Sequence, residues 1–190
     1  MLSARLGHFL DAPLGPVVKK IPLSPNLLTI IGFLITCAAA FAIPHNLRVG
    51  GVLILCGGIF DLLDGVSART NGKATKFGAF LDSVLDRYSD AFIFLSLSYY
   101  LAAHGNHTGS FLSLGTLVGA FLISYARARA EGIGESCNTG IMERPERIIL
   151  VIFGTMTGWL VAVLWIMLIL THITVIQRIL HVWKATKKKY

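Results

Sequence analysis

The chain has 190 residues, of which 54% are hydrophobic and only 14% charged, and its mean hydropathy is +0.68. A soluble domain carries roughly a quarter charged residues, so a disordered chain, a fibrous protein and most soluble enzymes are excluded and an integral membrane protein is indicated. In such a protein the net charge of +7 sets orientation and does not imply nucleic-acid binding.

At about 20 residues per crossing, the chain holds at most six or seven spans and no separate soluble domain. Residues 3–18 alternate loosely between apolar and polar. They are expected to form a short amphipathic helix on the membrane surface, broken near Pro13 and Pro16. Asp11 interrupts this stretch, and Lys19 and Lys20 follow it, the reverse of a signal peptide. No residue between Lys20 and Arg48 is formally charged, and Ser24-Pro25-Asn26 and Pro44-His45-Asn46 mark the start and end of a first helix. A second runs from near Arg48 toward Arg69 and stops at the turn pair Asn71-Gly72. A third is predicted from Lys76 to Ala103, followed by a loop over 104–109, and a fourth from Ser110 to Glu131. Gly132, Gly134, Asn138 and Gly140 mark the next loop.

The uncharged stretch 148–177 fits one long helix or two short ones, and charge placement decides. With a turn near Gly154–Gly158, all the Lys/Arg groups except Arg48 fall on one side. With a single crossing, the tail of Lys184, Lys187, Lys188 and Lys189 would lie outside, against the positive-inside rule. The expected fold is therefore an all-α, six-helix membrane bundle forming a single domain over 1–190. It is multi-pass in the cell membrane, with both termini cytoplasmic. The fifth helix must then begin before Arg147, which brings Glu143 and Arg144 to the membrane boundary. Cys37, Cys56 and Cys137 have no paired spacing and suggest neither a disulfide framework nor a zinc site.

Five of the six aspartates, Asp61, Asp64, Asp82, Asp86 and Asp90, lie on the second and third helices. An aspartate at mid-bilayer costs about 2.5–3.5 kcal/mol, so four unpaired ones would cost about 10 kcal/mol. Asp61 and Asp64 are spaced i,i+3 and Asp82 and Asp86 i,i+4, so each pair shares a helix face. A short turn makes the two helices antiparallel neighbours, so four carboxylates should converge near the cytoplasmic boundary. Oxygen-only ligands favour Mg2+ or Mn2+, and four carboxylates suit two ions. A structural ion-pair network with Arg69 and Arg87 is the competing reading, but the carboxylates outnumber these bases. Asp90 fits a structural role as well as a functional one. Gly65, Ala68 and Gly78 carry no bulk and leave room for a ligand to approach the backbone. Arg69 and Thr75 can donate to phosphate oxygens.

The run Asp61-x2-Asp64-Gly65-x2-Ala68-Arg69-x8-Gly78-x3-Asp82-x3-Asp86 matches all eight fixed positions of the signature of the CDP-alcohol phosphotransferase family, which the chain therefore resembles. Ser24-Pro25-Asn26-Leu27-Leu28-Thr29 also resembles that family's nucleotide-contacting segment. The resemblance implies a homodimeric enzyme in which an alcohol displaces CMP from CDP-diacylglycerol or CDP-archaeol. It implies Asp61, Asp64 and Asp82 as metal ligands and Asp86 as the base, which also touches the second ion. It further implies Asn26, Thr29, Gly65, Ala68, Arg69, Thr75 and Gly78 as contacts to the CDP-lipid.

The second half concentrates arginines at helix ends: Arg127 and Arg129, Arg144 and Arg147, then Arg178. Arginine at the membrane boundary is costly, and an anionic ligand is one way to hold it. Simple positive-inside marking is the alternative for each. The pattern is similar to the branch of the family whose acceptor is inositol 1-phosphate, which implies Arg127, Arg144 and Arg178 as acceptor-phosphate ligands. Arg127 departs from that branch's common lysine, keeping the charge but changing the geometry. Glycerol 3-phosphate is an alternative acceptor with the same need for a phosphate pocket. A cation transporter is the alternative from another class. It predicts carboxylates near mid-membrane on interrupted helices, whereas here they lie toward one face beside Gly and Arg.

Overall fold

The computed structural model describes residues 15, 16, 18 and 23–187. Of the expected N-terminal surface helix, Gly15, Pro16 and Val18 are helical and the remainder lies outside the described residues. Among the described residues there are six helices and no strand: α1 (Pro25–Ala42), α2 (Leu47–Thr70), α3 (Lys76–Ala103), α4 (His107–Gly132), α5 (Arg144–Thr157) and α6 (Leu160–Lys187).

The polar residues between the apolar runs set the boundaries. Ser24 caps α1 by accepting from the Leu27 N–H at 3.3 Å, with Pro25 opening the first turn. Asn46 caps α2, accepting from the N–H groups of Arg48 and Val49 at 3.1 Å. Thr75 accepts from the Gly78 N–H at 2.9 Å ahead of α3. Asn106 caps α4 through the Gly109 N–H at 2.8 Å. This last cap corrects the predicted loop over 104–109: His107, Thr108 and Gly109 form the first turn of α4. The 148–177 stretch divides into two helices. Gly158, at φ 81°, ends α5, a left-handed backbone that glycine adopts without steric cost.

By length and composition, α1, α2, α4 and α6 are long and apolar enough to cross a membrane. Helix α3 has the length but carries Asp82, Asp86, Arg87 and Asp90. Helix α5 has 14 residues, about 21 Å at 1.5 Å per residue, less than the ~30 Å hydrocarbon core.

The chain divides into two compact units, the boundary falling within α3 after Leu97. In the first, α1 and α2 approach closely through Gly32 and Gly57. A Cβ on Gly57 would stand 2.6 Å from the Thr36 hydroxyl and 3.2 Å from the Gly32 carbonyl oxygen, the small-residue contact by which membrane helices pack. Helix α3 joins α1 through the Ser96 hydroxyl, which donates to the Ala40 carbonyl, and through Phe33 and Phe92, whose ring centroids are 6.1 Å apart. In the second unit, the Ser98 and Ser110 hydroxyls bond at 2.7 Å. There Gly119 faces Thr171 of α6, and Gly154 of α5 faces Leu160 and Val163.

Candidate active site

The first unit contains the carboxylates. Asp61 and Asp64 lie one turn apart on α2, and the short 71–75 connection folds α3 back so that Asp82 meets them. One carboxylate oxygen from each of these three residues lies within 4.8 Å of the other two. Like charges this close repel unless a cation lies between them. Asp64 is 6% exposed, and its Oδ2 is buried without a hydrogen-bond partner. An oxygen-only donor set with a buried oxygen that no protein group satisfies fits a hard divalent cation. Asp86, one turn beyond Asp82, is outside this group of three, and its Oδ2 lies 3.4 Å from Arg87 Nη1. Asp90 is buried at 2% exposure.

Beside the carboxylates is a cavity of about 180 Å³. Asn26 and Thr29 of α1, Gly65, Ala68 and Arg69 of α2, and Thr75 and Gly78 at the start of α3 all line it, together with Asp64 and Asp82. The structure thus gathers around one cavity the seven residues expected to contact the CDP-lipid. The small residues are needed for space. A Cβ on Gly78 would stand 2.8 Å from Asn26 Oδ1 and 3.0 Å from Thr75 Oγ1. A Cβ on Gly65 would stand 3.2 Å from Arg69 Nη1, so the guanidinium folds back over Gly65. Lys73 also lines the cavity. In the sequence it counts only as an orientation charge. Its place directly after the Asn71-Gly72 turn, between the two halves of the motif, is the signal that could have marked it.

The second unit contains the arginines. Arg178 of α6 is 3% exposed. Its Nε donates to the Thr139 carbonyl at 2.9 Å and its Nη1 to the Ile123 carbonyl at 2.5 Å, while Nη2 lies 3.7 Å from Glu143 Oε1. Arg127 and Arg147 are both within electrostatic range of it. Arg127 is about half exposed and pairs with Glu131 at 2.9 Å, one turn along α4. Arg144 opens α5, and i,i+3 spacing puts it on the same face as Arg147. Arg147 has no assigned role in the sequence reading, yet it is 2% exposed and its Nη1 donates to the Met142 carbonyl at 3.3 Å. The sequence signal for it was the Arg144-Pro-Glu-Arg147 spacing itself.

Carboxylate oxygens that fit a hard metal, beside two cations that fit an anionic group and next to helices long and apolar enough for a bilayer, are the features of a membrane enzyme for transfer chemistry on a phosphorylated substrate. The family model for CDP-alcohol phosphatidyltransferase matches residues 22–185, and the chain belongs to that family. It is 37% identical over 181 residues to the archaetidylinositol phosphate synthase of Methanothermobacter thermautotrophicus, covering 92% of this chain and 90% of that protein. Among solved structures it is similar to Mycobacterium tuberculosis phosphatidylinositol phosphate synthase with CDP-DAG bound, at a TM-score of 0.80 and 33% identity, covering 94% of each chain. The same mycobacterial enzyme in complex with manganese and citrate matches at a TM-score of 0.82 and 33% identity, covering 91% of this chain and 88% of that one. This chain is therefore a CDP-alcohol phosphotransferase, a membrane enzyme of phospholipid biosynthesis, with a carboxylate cluster that fits a divalent metal.

Proposed function

We propose that this enzyme transfers the phosphatidyl or archaetidyl group of a CDP-lipid to inositol 1-phosphate, releasing CMP. The observation that carries the donor half is the cavity beside Asp64 and Asp82, lined by Asn26, Thr29, Gly65, Ala68, Arg69, Thr75 and Gly78. These residues take the CDP moiety, with Arg69 donating to the diphosphate. Asp61, Asp64 and Asp82 would hold divalent cations, two Mg2+ or Mn2+ ions, with Asp86 as a ligand to the second. When bound, these ions supply charge neutralisation on the diphosphate. Asp86 is the base. Its carboxylate takes the proton of the acceptor hydroxyl as that oxygen attacks the lipid-side phosphorus. The bond from that phosphorus to the bridging oxygen breaks, and its electron pair leaves on CMP.

The acceptor is supported by relatives named for inositol phosphate head groups and by the concentration of arginines in the second unit. Arg127, Arg144 and Arg178 are assigned to its phosphate, Arg178 with two of its five N–H donors already held by protein carbonyls. The resemblance supports a homodimer. Charge placement supports a multi-pass protein of the cell membrane with termini and active site cytoplasmic. The test is CMP release from CDP-diacylglycerol or CDP-archaeol by purified protein, with inositol 1-phosphate, inositol and glycerol 3-phosphate compared as acceptors. Inositol 1-phosphate should be turned over and unphosphorylated inositol only poorly. Preference for glycerol 3-phosphate would reassign the acceptor. EDTA should abolish release, and Mg2+ or Mn2+ should restore it.

A further inference from the structure

We propose that Lys73 binds the donor substrate, its ammonium contacting the nucleotide diphosphate from the turn that joins the two helices carrying the metal-binding carboxylates. This rests on the reading of that cavity as the CDP site. Lys73 is one of four formally charged residues lining the cavity, with Asp64, Arg69 and Asp82. Arg69 and Lys73 therefore balance the two carboxylates. With divalent cations on the carboxylates, as proposed above, Arg69 and Lys73 are the formal cations that the protein itself adds to the lining, and both attract an anionic nucleotide.

The backbone holds Lys73 in place. The end of α2 closes with the Gly72 N–H donating to the Arg69 carbonyl at 3.4 Å and the Lys73 N–H to the Ala68 carbonyl at 3.1 Å, while Gly72 adopts φ 61°. This is a Schellman closure. It fixes the Lys73 backbone against Ala68, itself part of the cavity wall. The two cations then have different tasks. The Arg69 guanidinium is folded over Gly65. Lys73 is exposed, and its flexible stem and rotatable donors suit a phosphate that shifts between CDP-lipid and CMP. A contact only to anionic lipid head groups is the competing role for a lysine at this boundary.

The experiment uses the full chain purified in neutral detergent with Mn2+, following thermal protection by CDP, CMP and cytidine. Lys73→Ala should raise the CDP concentration for half-maximal protection roughly 3- to 10-fold, the range for one partly solvated charge-assisted contact. Lys73→Glu should raise it further, Lys73→Arg should restore most of it, and the response to cytidine should not change. Gly72→Ala, which meets no atom within 4 Å but strains a positive φ, should weaken CDP protection in the same direction. In turnover, KM for the CDP-lipid should rise with kcat nearly unchanged. Unaltered CDP protection in Lys73→Ala, or an effect seen only in vesicles containing anionic lipid, overturns this inference alone. Absence of CDP protection in the unmutated protein overturns the nucleotide reading of the cavity and this inference with it.

Discussion

Asp64 is the carboxylate with the least alternative use. It is buried, and one oxygen lacks a protein donor, while Asp61 and Asp82 approach it closely enough to repel. Asp64→Asn removes one of three mutually repelling charges without changing shape. The apo protein should therefore be as stable as the unmutated one or more so, while the rise in Tm on adding Mn2+ should be lost. A retained Mn2+ response would remove Asp64 from the metal site. Asp86 is placed differently, outside the group of three and beside Arg87. Asp86→Asn should lower kcat by about 10²- to 10⁴-fold, the range for loss of a general base, while CDP and Mn2+ protection persist. For Arg144→Ala, loss of a charge-assisted contact worth about 1.5–3 kcal/mol should raise KM for inositol 1-phosphate roughly 10- to 100-fold. KM for the CDP-lipid should stay near normal. A rise confined to the CDP-lipid would reassign Arg144 to the donor.

Among the elements, α6 fixes the connection between α4 and α5. Thr174, Arg178 and His181 recur at helical spacing on one face of α6. Thr174 accepts from the Met142 N–H at 3.1 Å, Arg178 donates to Thr139, and a His181 ring nitrogen lies 3.1 Å from the Ser136 carbonyl oxygen. This face positions the start of α5, where Arg144 and Arg147 lie. Arg178→Ala would remove the donor that the Thr139 carbonyl meets and leave Glu143, 9% exposed, without that cation. The cost should be about 3 kcal/mol. Arg127→Ala removes an exposed i,i+4 pair, worth about 0.3–0.5 kcal/mol. Thermal unfolding in one detergent should therefore separate the two variants, with a clear drop in Tm for Arg178→Ala and almost none for Arg127→Ala. Equal Tm values would show that Arg178 has no structural role.

For the molecule as a whole, the charge pattern makes a topological prediction. If successive helices cross the membrane in alternation, every cluster of Lys and Arg falls on one side, with Arg48 alone on the other. Single cysteines placed in a chain cleared of Cys37, Cys56 and Cys137 can test this with a membrane-impermeant maleimide on intact cells. His45→Cys and His104→Cys should label from outside. Ser136→Cys should label only after permeabilisation. The opposite pattern would invert the enzyme and place its active site away from the cytoplasm.

Much of the donor site was legible from local sequence because helical geometry is local. The i,i+3 spacing of Asp61 and Asp64, the turn at Asn71-Gly72 and the small residues Gly65 and Gly78 together predict a carboxylate cluster and an open wall, without tertiary information. Ser24 marks a helix start for the same reason, since its side chain satisfies an N–H three residues on, whereas Asn46, expected only at the end of the first helix, also caps the start of the next. Only the tertiary structure could separate Asp86 from the other three carboxylates, since convergence depends on how α2 and α3 pack. It also brought Asn26 of α1 against Gly78 and Lys73 into the cavity wall. The arginines were the least legible. Arg178 reaches Thr139 and Ile123 across 39 and 55 residues of sequence. Net charge and spacing read all of these arginines alike, whereas burial and the carbonyls each one meets depend on contacts between segments far apart in the chain.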